Sequence, residues 1–183
     1  MQIALLDTDM LSEVLKQRNP QVVTKAAAYL RSHGRFAFSA FTRFEISRGF
    51  KEKGATNQLT RFREFCQHSL IIPVTDSVLE RAEDLWAIAR REGMPCGDAD
   101  LIIAATALET GRILVTGNTS HYAGISGLTL GDWRNLSTRL CFSNSGISNE
   151  FTSWVTFDSS VAVLLEAADK RTLQTRTNRN HCE

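Results

Sequence analysis

A chain of 183 residues with 43% hydrophobic content can bury one substantial core but is too short for two full domains. Its 21 basic and 20 acidic residues leave a net charge of +1, so the overall field neither gathers nor repels a polyanion, and nucleic acid has to be held by a local patch. Cys66, Cys96, Cys141 and Cys182 stand far apart, which argues against a disulfide framework and lacks the paired spacing of zinc or redox motifs. Met1 to Leu6 is too short for a signal-peptide core and no apolar run is long enough to cross a bilayer, so the expectation is a soluble, cytoplasmic protein with no membrane partner.

Ile3 to Leu6 is a short apolar run ending in Asp7, the pattern of a fully buried strand. Thr8 to Gln17 follows as a helix. Gln21 to Arg31 reads as a second, with Val22, Val23, Ala26, Ala27 and Leu30 on one side and His33-Gly34 as its stop. Phe36 to Ser39 is the next strand and Thr42 to Phe50 the helix after it. Leu59 to Cys66 reads as helical, and Ser69 to Val74 as an apolar run broken by Pro73. Asp76 reads as the N-cap of a helix reaching Arg91, with Glu80 and Glu83 early, Arg90 and Arg91 late, and Gly93 beyond its end. Val78, Leu79, Ala82, Leu85, Trp86 and Ala89 form its expected buried stripe. A further helix begins near Asp98 or Asp100 and ends at Gly111, with apolar content dense enough to be covered on most sides. Ile113 to Thr116 is another buried strand, followed by Gly117-Asn118. Such alternation predicts an α/β fold, a parallel β-sheet flanked by helices and joined by right-handed crossovers.

From about Ser137 the composition changes, so residues 1–136 are read as the domain and 137–183 as an extension that is polar from Thr172 to Glu183. Within it Val161, Leu164, Leu165 and Ala168 follow helical spacing after Ser159-Ser160. Phe142, Phe151, Trp154 and Phe157 argue against simple disorder.

Ligands of open parallel sheets bind beyond the carboxyl ends of the strands. Asp7 ends the first strand, Asn118 follows the strand from Ile113, Glu45 lies on the helix after the Phe36 strand, and Asp100 stands at a helix start. These four are therefore the candidate site. Carboxylates gathered so closely raise one another's pKa unless a cation neutralises them, and the absence of zinc-like His or Cys spacing favours Mg²⁺ or Mn²⁺. Such ions activate water and stabilise charge on phosphoryl oxygens, so phosphodiester hydrolysis follows. Cations for the substrate are at hand in Arg43, Arg48, Lys51, Lys53, Arg61 and Arg63, which read equally well as a solvated helical face.

Each acid also has a purely structural reading. Asp7 and Asp98 or Asp100 suit helix caps, and Glu45 suits an ion pair with Arg48. Glu45 is the most telling, because a carboxylate amid Phe41, Phe44 and Ile46 carries a desolvation cost that an ion would relieve. Asp9 and Asp98 read as supporting partners or caps, Thr8, Ser39, Thr42 and Thr116 as hydroxyls near strand ends, and His121 as an ordinary polar loop residue.

Taken in order, these segments resemble the PIN-domain ribonucleases and, among them, the VapC-type toxins of toxin and antitoxin pairs. The likeness covers roughly residues 1–136. The opening motif stands as LLDTDMLSEVLK, with Asp7 as the first metal-binding acid and Asp9 where the family usually has Asn. SAFTRFEISRGF supplies Glu45, DLIIAATAL supplies Asp100, and LVTGNTSHYAGISGLTLGDW puts Asn118 where the family has Asp or Asn. The resemblance implies Mg²⁺ or Mn²⁺ held by Asp7, Glu45 and Asp100, with Asn118 beside them in catalysis. It also implies endonucleolytic cleavage of RNA, homodimerisation and inhibition by an antitoxin protein. An uncharged Asn118 implies a second ion held weakly or only with the substrate's phosphate, and the extension after Ser137 departs from a family that usually stops near Trp133.

Two rival readings stand beside this one. LLDTDML also resembles the Asp-x-Asp motif of haloacid-dehalogenase-type phosphatases, with Asp7 as nucleophile and Asp9 as acid/base, but Leu11 replaces that family's Thr and Glu45 is left without a role. The other is a PIN fold that binds RNA or a partner without cutting.

Overall fold

The computed structural model describes residues 2–94 and 96–135, so the boundary at 137 and everything expected of the extension lie outside the described residues. The chain runs β1 (Ala4–Leu6), α1 (Thr8–Lys16), α2 (Pro20–His33), β2 (Ala37–Ser39), α3 (Ala40–Glu52), α4 (Thr56–Gln67), β3 (Leu70–Ile72), α5 (Asp76–Arg91), α6 (Asp98–Glu109), β4 (Ile113–Val115), α7 (Thr119–Tyr122) and β5 (Leu130–Gly131). Every strand pairing is parallel. One ladder is ordered β1-β4-β5, with Leu5 opposite Leu114 and Leu114 opposite Leu130, and the other pairs β2 with β3, Phe38 opposite Ile71. β1 lies against β2 across the gap between the ladders. On that flank the Ala4 N–H donates to the buried Tyr29 hydroxyl at 3.0 Å, which satisfies a backbone group that the ladder does not.

The local chemistry of the ends explains the boundaries. Asn19 accepts from the N–H groups of Gln21 and Val22, Pro20 opens α2 with no N–H to lose, and Gly34 closes it at φ 74°. At α5 the cap is Thr75 rather than the expected Asp76. Thr75 is extended and its hydroxyl accepts from the Val78 N–H, while Asp76 is already helical and places its charge in the first turn.

Two clusters make the core. Leu5, Leu114, Ile103, Ala104, Ala107, Ala82 and Leu85 fill the space between the β1-β4 ladder and the pair α5 and α6. Tyr29, Phe36, Phe38, Phe62 and Phe65 stack along the other flank, where Tyr29 and Phe36 also meet Trp133. Each such large apolar side chain contributes about 1.5–3 kcal/mol on burial. α6 is buried over most of its surface, as its composition predicted, with Leu101 and the run Ile103 to Ala107 inside. The stripe expected on α5 is narrower. Val78, Ala82 and Leu85 are buried, but Leu79 is 40% and Trp86 45% exposed. The i, i+4, i+7 row faces α6, and Trp86, one position further round, instead carries the Arg90 guanidinium 5.1 Å from its ring centroid. Among the described residues no helix is long and apolar enough to cross a membrane.

Candidate active site

Because β1, β4 and β5 are parallel, the residues that follow them emerge along one edge: Asp7 after β1, Thr116-Gly117-Asn118 after β4, and Asp132 to Arg134 after β5. Asp7 is 4% exposed. Its Oδ1 accepts from the Thr8 N–H at 2.6 Å, so it caps α1, and its Oδ2 accepts from the Thr116 hydroxyl at 2.8 Å and the Tyr122 hydroxyl at 3.1 Å. Burial pushes its pKa up to about 6. The hydrogen bonds from Thr116, Thr8 and Tyr122 pull the other way, and the neighbouring charge of Asp9 adds to the rise. The cap reading and the site reading of Asp7 are therefore compatible, since one oxygen serves the helix and the other faces the network.

Asp100 lies in the first turn of α6, whose N-cap is Gly97 with no capping side chain. Its Oδ1 is 3.2 Å from the same Tyr122 hydroxyl, and its Oδ2 is 3.3 Å from His121 Nδ1. Burial, together with Asp7 and Asp100, drives the Tyr122 pKa upward and keeps that hydroxyl protonated. Glu45 joins from α3 through the Thr8 hydroxyl, which donates to its Oε2 at 2.6 Å. It does not pair with Arg48, which lies 5.2 Å from the Phe44 ring centroid. The desolvation argument moves from Glu45 to Asp7: Glu45 is half-buried and Phe44 is 51% exposed, because they lie on a part of α3 that the core leaves open.

Asn118 stands on the same loop, with its backbone N–H on the Thr116 hydroxyl, but its side chain is exposed and does not cap α7. Asp9 accepts from the Gly117 N–H at 3.0 Å and meets Arg134 at 3.4 Å. A Cβ on Gly117 would lie 1.0 Å from Arg134 Nη2, so the absence of a side chain there gives the guanidinium its seat. Ser39 and Thr42 bond each other in the interior.

Among the described residues no three Asp, Glu, His or Cys side chains form a ready metal cage. The donor set is two carboxylates bridged by one hydroxyl, with a third one hydroxyl away. Hard oxygen donors in small number suit a cation such as Mg²⁺, which keeps several waters and takes one or two carboxylates plus substrate oxygens. Beside the acids opens a cavity of about 900 Å³ with Asp100 and His121 on its wall among Leu85, Ile88, Met94 and Ile125. Arg43, Arg48, Lys51, Lys53, Arg61 and Arg63 are all exposed, with no ion-pair partner among the described residues.

Three participants escape a reading of the sequence. His121 is drawn to Asp100 rather than being an idle loop residue, Arg134 reaches Asp9 across 125 positions, and Tyr122 touches two acids. For Tyr122 there was a signal: a Tyr in the segment that follows β4, whose hydroxyl, once buried, needs a partner.

The PIN domain family model matches residues 4–123. Ribonuclease VapC1 of Haemophilus influenzae (strain R2866) is 26% identical over 132 residues, covering 72% of this chain and 98% of that protein. The structure of DNA-bound VapBC from Salmonella typhimurium resembles this fold with TM-score 0.65 at 22% identity, over 73% of this chain and 99% of that one. A toxin-antitoxin complex from Klebsiella pneumoniae does so with TM-score 0.56 at 28% identity, over 69% and 95%. Asp7, Glu45, Asp100, Asn118 and Tyr122 all fall within the matched stretch, which spans well over half of the sequence, and the chain belongs to the PIN domain family.

Proposed function

We propose that this chain is a metal-dependent endoribonuclease, the toxin of a toxin-antitoxin pair, with Asp7, Asp100 and Glu45 holding Mg²⁺ or Mn²⁺ and Asn118 completing the catalytic set. The observation that carries the reading is the hydrogen-bonded chain from Asp7 through Tyr122 to Asp100 at the carboxyl edge of the β1-β4-β5 ladder. Relatives named as ribonucleases, and structures described as DNA-bound VapBC and as a toxin-antitoxin complex, support the substrate class and the antitoxin partner.

A bound Mg²⁺ or Mn²⁺ supplies a more acidic water and charge stabilisation on the phosphoryl and leaving oxygens. The protein's own groups do the rest. Thr8 and Thr116 hold the carboxylates of Glu45 and Asp7 in fixed orientation, and burial of Asp7 keeps bulk water from screening its charge. The Asn118 amide, exposed at the rim, is free to hydrogen-bond a phosphate oxygen or the attacking water. The cations of α3 and α4 bind flanking phosphates. A second copy of the chain completes the functional unit as a homodimer. The phosphatase reading is disfavoured by Asp9, which it needs as acid/base but which is engaged by Gly117 and Arg134.

The test is cleavage of total RNA by the purified chain with Mg²⁺, with EDTA, and in the variants Asp7→Asn and Asp100→Asn. The expected result is cleavage that EDTA stops and that both variants lose while keeping their fold. Full activity in both variants refutes the assignment.

A further inference from the structure

Tyr122 is 1% exposed and its ring belongs to the core that also holds Leu101, Ala104 and Leu114. Its hydroxyl stands between Asp7 Oδ2 at 3.1 Å and Asp100 Oδ1 at 3.2 Å. A phenol carries one proton and an ionised carboxylate only accepts, so the hydroxyl donates to one acid at a time and is shared between them. Among the described residues no other side chain bonds both acids: the Thr8 backbone N–H and the Thr116 hydroxyl serve Asp7, and His121 serves Asp100. Asp7 follows β1 and Asp100 lies in the first turn of α6, so these two acids come from separate parts of the fold and meet at this oxygen.

The hydroxyl is a poor choice for packing alone. A buried O–H costs desolvation that an apolar ring avoids, and Phe would fill the same volume. We propose that Tyr122 is a positioning residue whose hydroxyl sets the spacing and orientation of Asp7 and Asp100, so that one divalent cation meets both. This rests on the metal-dependent reading above, in which those acids are the ligands. Groups that orient a ligand without touching the ion are commonly worth about 10- to 100-fold in metal affinity.

The experiment compares the full chain with Tyr122→Phe in three measurements: calorimetric titration with Mn²⁺, thermal unfolding with and without Mn²⁺, and RNA cleavage at limiting and saturating Mn²⁺. The expected result is Mn²⁺ binding weakened about tenfold or more, a metal-free unfolding midpoint that falls by less than the Mn²⁺ stabilisation lost, and cleavage that returns toward the parent rate when Mn²⁺ is raised. Binding as tight as the parent's, or tighter, overturns the proposal. So does a fall in the metal-free midpoint as large as the loss of Mn²⁺ stabilisation, since that marks a packing role. If the parent binds Mn²⁺ but leaves RNA intact, the nuclease reading fails while the two Mn²⁺ affinities still decide the role of Tyr122. A parent that binds no Mn²⁺ overturns both.

Discussion

Asp7 is the acid on which burial acts hardest, and that makes it a measurable liability without a cation. Its folded pKa of about 6 lies above the ordinary 3.8, so the folded state binds the proton more readily than the unfolded chain. Below about pH 4 both states are protonated and this group costs nothing. Stability then falls as pH rises toward 6, by an amount on the order of 3 kcal/mol, and stays lost above it. Metal-free Asp7→Asn is therefore expected to exceed the parent in urea unfolding by on the order of 1–3 kcal/mol at pH 7.5, with the difference vanishing near pH 4. Equal stability at both pH values would show that the Asp7 carboxylate is not desolvated. The same titration predicts that Mn²⁺ binding to the parent weakens as pH falls below about 6, because the proton competes for the carboxylate.

Gly117 gives a second prediction at this scale. Its new methyl group in Gly117→Ala would meet the far end of Arg134, a flexible and partly exposed side chain that can swing away. The expected cost is below about 1 kcal/mol, the scale of a surface ion pair. Since the main loss is the contact of Arg134 with Asp9, Gly117→Ala and Arg134→Ala are expected to be non-additive, with the double variant no less stable than the worse single one. Additive thermal shifts would mean that the two residues act separately.

At the scale of elements, α5 separates what periodicity predicts from what packing decides. Leu85 is buried against α6 and Trp86 is half outside, although both belonged to one apolar stripe. Leu85→Ala should cost about 2–4 kcal/mol in denaturant unfolding, whereas Trp86→Ala should cost under about 1 kcal/mol. The end of the same helix tests the cap. Thr75→Ala removes a hydroxyl that accepts from the Val78 N–H and should cost about 1 kcal/mol, while Asp76→Asn loses only a few tenths from the helix dipole. The reverse order would restore Asp76 as the cap.

For the whole molecule the near-zero net charge matters less than where charge sits. Six exposed cations on and between α3 and α4 face no carboxylate partner among the described residues, so they are available to phosphates. Arg43→Ala and Arg48→Ala are each expected to weaken RNA binding about evenly across sequences and to reduce the salt slope by about one. An unchanged slope in both would return the stretch to a solvated face. The family model matches residues 4–123, which lie inside the 1–136 segment read from the composition as the domain. A chain ended after residue 136 is then expected to retain its circular-dichroism spectrum and Mn²⁺ uptake.

The order of strands and helices was legible in the sequence because it depends on local rules: unbroken apolar runs at Ile3 to Leu6 and Ile113 to Thr116, the stop at Gly34, and the dense apolar content of α6. So was the placement of Asp7 just after β1 and of Asp100 in the first turn of α6, with Glu45 on the helix that follows β2, since parallel crossovers carry strand ends to one edge. Which side chains then touch was decided by tertiary structure alone. Tyr122 lies 115 positions from Asp7 and Arg134 lies 125 from Asp9, and no local propensity encodes a hydrogen bond over such separations. The half-buried state of Glu45, the outward turn of Trp86 and the meeting of two acids at one phenol all follow from how helices seat on the sheet, a geometry that exists only once the chain has folded.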